Sequence, residues 1–128
     1  MKIEKLHHIA IICSDYKRSK AFYTAILGFK IEQEVYREKR QSYKLDLSLN
    51  NQYLIELFSF PDPPNRPSYP EATGLRHIAF GVKDLTSWIN YLQGKGVVCE
   101  PVRIDEFTGK KFTFLSDPDD LPIELYEV

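Results

Sequence analysis

Two stretches of this chain repeat each other in the same order. LHHIAIICSD, residues 6–15, aligns with LRHIAFGVKD, residues 75–84, so that Leu, His, Ile, Ala and Asp coincide. Farther along, IELF at 55–58 aligns with IELY at 123–126. Between these anchors the two halves show the same order of structural signals. The duplication therefore predicts two modules of similar length and similar fold.

In the first module, a helical pattern lies between strand patterns. Ser14 or Asp15 can cap the start of the helix, and Gly28 follows its end. The following apolar residues alternate as they do in strands, and Asn50 and Asn51 supply a two-residue hairpin turn. The predicted elements are a strand over 9–13, a helix over 16–27 and strands over 29–37, 42–49 and 52–60.

The second module repeats this βαβββ order, with Asp84 as the cap of its helix. Its predicted elements are a strand over 77–82, a helix carrying Leu85, Trp88, Ile89 and Leu92, and strands near 97–102, 111–115 and 122–128. PDPPNRPSYP, residues 61–70, holds five of the eight prolines and is too extended to join a sheet interior. We therefore predict one α+β domain over 1–128, with modules at 1–60 and 74–128 and a linker over 61–73.

Length and composition are consistent with one compact domain. The chain has 128 residues, of which 43% are hydrophobic, so it can bury a core. Lys and Arg number 17 against 18 Asp and Glu, without a basic stripe, and nucleic acid is not an expected partner. No window approaches the about 20 apolar residues of a membrane span, and MKIEKLHH is unlike a signal peptide. We expect a cytoplasmic protein without a membrane partner, with Cys13 and Cys99 as reduced thiols.

Alternation along the repeated strand separates the histidines. His77 shares a face with the small residues Ala79 and Gly81, whereas bulky apolar residues occupy the other face. His8 is the counterpart of His77 in the first module. His7 falls on the opposite side and is interpreted as a half-exposed ring at a strand end.

Two glutamates strengthen the pattern. Glu56 and Glu124 each lie in the middle of an apolar strand, where an unpaired carboxylate is costly to bury. A single such histidine or glutamate is usually structural. Here, however, His8 and Glu56 recur as His77 and Glu124, at spacings that differ by only one residue. If the modules pack about a pseudo-twofold axis, the four side chains form a His₂Glu₂ site for one divalent ion, with Zn, Ni, Mn, Co and Fe(II) all compatible.

FYTAILGF, residues 22–29, and FTFLSDPDDLPIELYE, residues 112–127, together with HHIAI and RHIAF, resemble the vicinal oxygen chelate superfamily, and within it glyoxalase I and its relatives. The resemblance implies an eight-stranded, U-shaped sheet around a metal cleft, with the family's four ligands at His8, Glu56, His77 and Glu124. It also implies a lyase that moves a proton between adjacent carbons through an enediolate. Glu124 would be the leading proton shuttle and Glu56 its partner.

The sequence also departs from the family. Glutathione-dependent members have an arginine four residues after the first histidine ligand and an asparagine four residues after the first glutamate, whereas this chain has Ile12 and Phe60. A glutathione substrate would lose a charge-assisted anchor, so we do not expect glutathione dependence. The residues next to the glutamates predict an aromatic pocket instead, formed by Phe58, Phe60 and Tyr126. By resemblance, Lys110 or Lys111 lies in a basic loop that could meet an anionic substrate group.

The leading hypothesis is a metal-dependent lyase or isomerase acting on a small oxygenated substrate. One alternative is an extradiol-type dioxygenase, which needs Fe(II) on two histidines and one carboxylate and is disfavoured by the extra glutamate. An acyl-CoA epimerase is disfavoured because it typically has glutamine where Glu56 stands, and a fosfomycin-resistance enzyme because it uses three protein ligands. A non-enzymatic drug-binding resistance module remains open. We expect a homodimer, and the modules can pair within one chain or across the dimer.

Overall fold

The computed structural model describes residues 1–128, which divide into two compact units, Met1–Asn65 and Arg66–Val128. The boundary falls inside the proline-rich segment. The first unit contains β1 (Ile9–Cys13), α1 (Tyr16–Ala21), a π-helical turn (Phe22–Ile26), β2 (Lys30–Arg37), a 3-10 turn (Glu38–Arg40), β3 (Ser42–Leu49) and β4 (Gln52–Ser59). The second contains β5 (Ile78–Val82), α2 (Leu85–Gly94), β6 (Arg103–Ile104), β7 (Lys111–Ser116) and β8 (Pro122–Glu127).

The sheet of the first module has the strand order β1-β4-β3-β2. Strand β1 runs parallel to β4, and the remaining neighbours are antiparallel. Leu45 and Leu47 of β3 and Ile55 and Leu57 of β4 are fully buried on one face. Because side chains alternate along a strand, the intervening residues of β3 and β4 lie on the opposite, more open face.

The helix after β1 begins as predicted and changes its winding before it ends. The Asp15 side chain accepts a hydrogen bond from the Arg18 N–H at 3.0 Å and caps α1. The predicted helix over 16–27 continues as a π-helical turn, because the Leu27 N–H donates to the Phe22 carbonyl, five residues earlier. Gly28 then adopts a φ of 81°, a conformation that glycine favours, and ends the helix.

The second module repeats this arrangement with the strand order β5-β8-β7-β6. Strand β5 is parallel to β8, while β7 is antiparallel to both of its neighbours. The Asp84 side chain caps α2 by accepting from the Ser87 N–H at 2.9 Å. Ile123 and Leu125 supply buried core positions on β8.

The predicted strand over 97–102 is wrong. This segment is not a strand, and β6 is limited to Arg103–Ile104. Pro101 has no N–H to donate to a ladder. The segment contacts β7 through isolated bonds, from the Glu100 N–H to the Phe114 carbonyl at 2.8 Å and from Thr113 Oγ1 to the Glu100 carbonyl at 2.6 Å.

The predicted doubled βαβββ order and the α+β class are confirmed. Hydrogen bonding divides the eight strands into two four-stranded mixed sheets rather than one continuous sheet. Cys13 is buried and Cys99 is partly buried. Neither helix has the length and apolar content needed to span a membrane.

Candidate metal centre

In the first module, strand pairing brings a histidine to a glutamate. Ala10 of β1 lies opposite Glu56 of β4 in the parallel ladder, and His8 precedes Ala10 by two residues. The imidazole therefore extends toward the carboxylate along the same face. His8 Nε2 lies 3.4 Å from Glu56 Oε2.

The second module builds the same pair from the same register. Ala79 of β5 lies opposite Glu124 of β8, and His77 precedes Ala79 by two residues. His77 Nε2 lies 3.2 Å from Glu124 Oε2. The duplication thus preserves the residue types, the strand pairing that positions them and the atoms that face each other.

In both pairs, the glutamate side chain is largely covered and the imidazole is partly open. The exposed fraction is 15% for each glutamate side chain, 36% for His8 and 33% for His77. Each module thus brings together two of the four predicted ligands. No group of three or more His, Cys, Asp and Glu side chains in the structure is arranged to hold a metal ion, and the four-ligand set stays a prediction.

Glu56 belongs to a network of charged and polar side chains. Lys44 lies 3.2 Å from Glu56 Oε1 and 2.5 Å from Asp46 Oδ1, and the Tyr53 hydroxyl donates a short hydrogen bond to Glu56 Oε1. Burial by itself would raise the pKa of the Glu56 carboxyl, but the hydrogen bonds from Tyr53 and Lys44 outweigh it and hold the pKa below its usual range. Glu56 is therefore a fixed carboxylate whose charge is compensated by Lys44.

Glu124 has different surroundings. Phe114 lies opposite Glu124 in the ladder, where the first module has Asp46 opposite Glu56. The Phe114 ring meets His77 edge to face at 5.1 Å. No hydrogen bond reaches Glu124 Oε1. This carboxylate consequently keeps an uncommitted oxygen next to an aromatic surface.

His7 precedes β1 and is exposed, whereas the sequence predicted a half-exposed ring at a strand end. His7 also contacts a predicted ligand, because His7 Nδ1 lies 2.8 Å from His8 Nδ1. The ring of Tyr53 packs edge to face against His7 at 5.3 Å. A hydrogen bond between two Nδ1 atoms requires one protonated and one unprotonated nitrogen, so the two rings constrain each other's tautomer.

Tyr126 lies on β8 two residues after Glu124, and its hydroxyl holds the loop before β7. The hydroxyl donates to Asp105 Oδ2 at 3.0 Å and forms a short hydrogen bond with Thr108 Oγ1. Within the loop, the Gly109 N–H donates to the Asp105 carbonyl at 2.7 Å. Tyr126 thus joins the surface beside Glu124 to the loop over residues 105–110.

Neither of the two predicted loop lysines, Lys110 and Lys111, forms an ion pair in the structure, and their contact with an anionic substrate group stays a prediction. Lys110 is exposed and forms no ion pair, and its carbonyl accepts the Asp105 N–H at 2.8 Å. Lys111 is the first residue of β7 and lies opposite Ile104 in the ladder. By alternation, its side chain faces away from the surface that carries Phe112 and Phe114.

Phe58 and Phe60 have nearly parallel rings whose centroids lie 6.0 Å apart, and their part in a substrate pocket stays a prediction. Ile12 is 54% exposed. The sequence predicted no cation at these rings, yet the Arg37 guanidinium lies 4.8 Å from the Phe58 ring centroid. In the second module, the Arg103 guanidinium lies 5.0 Å from the Phe112 centroid in a comparable arrangement.

Several residues near the glutamates were not predicted from the sequence: Lys44, Asp46, Tyr53, Arg37, Arg103, Phe112 and Phe114. One signal for the β3 residues was present in the alternation of SYKLDLSL, since polar residues occupy the positions between the apolar ones. That pattern marks an open face. It does not show which β3 residue lies opposite Glu56, because the register depends on the irregularity between Leu47 and Ser48.

Comparisons with known proteins agree with this architecture. The model of the Glyoxalase/Bleomycin resistance protein/Dioxygenase superfamily matches residues 5–125. The uncharacterized protein YwkD of Bacillus subtilis is 62% identical over 127 residues, which is 99% of each chain. A glyoxalase family protein from Enterococcus faecalis has a crystal structure that matches with a TM-score of 0.91 and 48% identity, over 99% of this chain and 100% of that one.

A second solved structure comes from an enzyme. The trypanothione-dependent glyoxalase I of Leishmania major matches with a TM-score of 0.70 and 26% identity, covering 98% of this chain and 87% of that one. The repeated modules, the motifs and the family match converge on one assignment. The chain belongs to the glyoxalase/bleomycin resistance protein/dioxygenase superfamily, which is also called the vicinal oxygen chelate superfamily.

Proposed function

We propose that this protein is a metal-dependent lyase or isomerase of the glyoxalase type, with one divalent ion held by His8, Glu56, His77 and Glu124. The observation that carries the proposal is the recurrence of a histidine–glutamate pair in both modules, with N–O distances of 3.4 and 3.2 Å. Two ligands about 2.1 Å from one ion, at the angles of octahedral or tetrahedral coordination, are about 3.0–3.4 Å apart. Each pair therefore has the spacing of two adjacent ligands.

The donor chemistry fits a borderline divalent ion. Two imidazole nitrogens and two carboxylates suit Zn, Ni, Mn, Co and Fe(II). In the proposed site, His8 binds through Nε2, so its Nδ1 carries the proton and donates to His7 Nδ1, at the observed 2.8 Å. His7 is then a positioning residue that fixes the ring of a ligand, as outer hydrogen-bond partners of metal ligands commonly do.

The ion, when bound, would polarise two neighbouring substrate oxygens and stabilise the negative charge that develops on them. The two glutamates differ in what they can add. Glu124 Oε1 accepts no hydrogen bond, so it can take a proton from a substrate carbon and return it to the adjacent carbon. Glu56 Oε1 is engaged by Lys44 and Tyr53, and its lowered pKa makes it a weaker base. We assign proton transfer to Glu124. We assign to Glu56 the role of a metal ligand that assists Glu124.

The proposed substrate is a small oxygenated molecule rather than a glutathione adduct. Ile12 and Phe60 offer no charge or amide at the positions where glutathione-dependent relatives have arginine and asparagine. The surface at Phe58 and Phe60 is instead aromatic. The proposal includes a homodimer. Each metal site takes one histidine–glutamate pair from a first module and one from a second module, and the two modules belong to the same chain or to two copies of it.

A direct test measures turnover after reconstitution. Metal-free protein is loaded separately with Zn, Ni, Mn, Co and Fe(II) and supplied with α-ketoaldehyde adducts of glutathione and of mercaptoethanol. We expect metal-dependent conversion without a preference for the glutathione adduct, reduced about 10²-fold or more by Glu124→Gln. If neither adduct is converted with any of the five metals, the glyoxalase-type assignment is contradicted. Oxygen uptake with catechols in the Fe(II)-loaded protein would support a dioxygenase instead.

A drug-binding module is the second candidate, and the aromatic surface of the second module favours it. Phe112 and Tyr126 stack with ring centroids 6.4 Å apart beside Phe114. A planar antibiotic could be held by such rings without a metal. Retention of antibiotic affinity after complete metal removal would support this candidate, whereas loss of affinity on chelation would support the metal site.

A further inference from the structure

Two arginines of the first module, Arg37 and Arg40, lie near the same aromatic ring, that of Phe60. Arg37 is the last residue of β2, and Arg40 ends the 3-10 turn that follows. The Arg37 guanidinium lies 4.8 Å from the Phe58 centroid and 5.8 Å from the Phe60 centroid, and the Arg40 guanidinium lies 5.3 Å from Phe60. Both cations therefore stack within cation–π range of the same ring.

Neither arginine has an anionic partner. No carboxylate in the structure forms an ion pair with Arg37 or Arg40. Two guanidinium groups at one aromatic ring repel each other, and no protein carboxylate offsets that repulsion. An oxyanion bound between them would do so through charge-assisted hydrogen bonds.

Arg103 in the second module provides the contrast. It also stacks on two phenylalanines, at 5.0 Å from Phe112 and 5.3 Å from Phe114. Its guanidinium, however, pairs with Glu100 at 3.1 Å. A stacked arginine in this chain can thus be neutralised internally, which makes the unpaired state of Arg37 and Arg40 a specific feature of their surface.

The two arginines differ in how firmly they are held. Arg37 Nη2 donates to Ser42 Oγ at 2.9 Å, which fixes the guanidinium over the ring of Phe58. Arg40 is exposed on the turn and can adjust to a ligand. One fixed and one adjustable guanidinium are suited to oxyanions of different size.

We propose that Arg37 and Arg40 form an oxyanion subsite, so that the substrate carries a carboxylate or phosphate group in addition to the oxygens that bind the metal. This substrate class rests on the proposed function, whereas oxyanion binding itself does not. Phe58 and Phe60 follow Glu56 by two and four residues along the same face of the chain leaving β4. At the rise of a strand, they lie about 7 and 13 Å beyond it. The anionic group is therefore separated from the reacting oxygens by several bonds.

Side-chain nitrogen NMR on the full chain tests the subsite. Metal-free protein in a chelator is titrated with sodium phosphate and, separately, with sodium malonate, at an ionic strength held constant with sodium chloride. The arginine Nε–H signals are assigned with Arg37→Gln, Arg40→Gln and Arg103→Gln variants. The ligand that binds with the higher affinity shows whether the subsite favours a phosphate or a carboxylate group.

We expect saturable shifts of the Arg37 and Arg40 signals and no saturable shift of Arg103. Arg40→Gln should weaken binding about tenfold or more, as expected for loss of one charge-assisted hydrogen bond, while the matched control Arg103→Gln should leave it unchanged. Arg40 is exposed, so its variant is informative even if Arg37→Gln fails to fold. Shifts that do not saturate, or equal weakening by Arg103→Gln, would overturn the subsite. Because metal is absent, these outcomes are independent of metal-dependent activity.

Discussion

Glu56 and Glu124 occupy equivalent positions in the two modules, but only Glu56 has both carboxylate oxygens engaged by side chains. Glu56 Oε1 meets Lys44 and Tyr53 while Oε2 faces His8. In Glu124, Oε2 faces His77 and Oε1 accepts no hydrogen bond. The duplication has thus produced one carboxylate that is held in place and one that has an oxygen available for chemistry.

This difference predicts unequal effects on stability in the metal-free protein. Glu56→Gln should lower the free energy of unfolding by about 1–3 kcal/mol, because it weakens hydrogen bonds to a charged group and leaves Lys44 with one carboxylate partner fewer. Glu124→Gln should change it by less than about 0.5 kcal/mol. Urea denaturation in the presence of a chelator measures both. An equal loss of unfolding free energy in the two variants would contradict the conclusion that only Glu56 is held by side-chain partners.

A second prediction concerns pH and the contact between α1 and β2. Glu34 accepts a hydrogen bond from Lys20 at 2.6 Å and another from Tyr16, and these bonds lower the pKa of its carboxyl. A carboxyl with a lowered pKa in the folded state stabilises the protein above its ordinary pKa, and this contribution is lost as the pH falls through the lowered value.

Glu34→Gln should therefore lower the free energy of unfolding at neutral pH, by about 1 kcal/mol at most because the pair is partly exposed. The difference from the unchanged protein should shrink below about pH 4. Denaturation midpoints from pH 3 to 7 measure it, with Glu106→Gln as the control because Glu106 forms no ion pair. A deficit that is constant over this pH range would show that the charge of Glu34 is not involved.

The loop over residues 105–110 should loosen when the Tyr126 hydroxyl is removed. Tyr126→Phe deletes the hydrogen bonds to Asp105 and Thr108, each of which contributes about 1 kcal/mol. We expect faster hydrogen exchange at the Gly109 amide, which donates to the Asp105 carbonyl, with little change in β8. Tyr36→Phe, in the other module, is the matched control. Unchanged exchange at Gly109 would mean that Tyr126 does not hold the loop.

The sequence predicted the fold well where local patterns determined it. The repeat identified two βαβββ modules, and alternation placed His8 and His77 on the face of small residues, which in the structure lies beside Glu56 and Glu124. The start of the helix after β1, with its capping residue, was predicted correctly. Its π-helical turn was not, because the change from one hydrogen-bond pattern to another depends on packing of residues such as Tyr23, which is fully buried.

What the sequence could not predict depends on register and on contacts between strands. Lys44 reaches Glu56 only because β3 and β4 pair with Asp46 opposite Glu56. Arg37 lies over Phe58 because β2 ends opposite the first residue of β3, at the edge of the sheet where β4 also ends, so its long side chain reaches across β3. The predicted strand over 97–102 failed for a similar reason, since apolar residues around Val97 suggested a strand but Pro101 removes a donor that a ladder would need.

The adjacent histidines allow the most direct test of the metal site, because they have the same chemistry and different predicted roles. The measurement is metal content by inductively coupled plasma mass spectrometry on the untagged protein, on His8→Ala and on His7→Ala, each after incubation with Zn, Ni, Mn, Co or Fe(II) and removal of free metal. We predict about one divalent ion per chain in the unchanged protein and loss of the ion in His8→Ala. His7→Ala should retain the ion with about tenfold weaker affinity. A protein that binds none of these metals, or that loses the ion equally in both variants, would contradict the account.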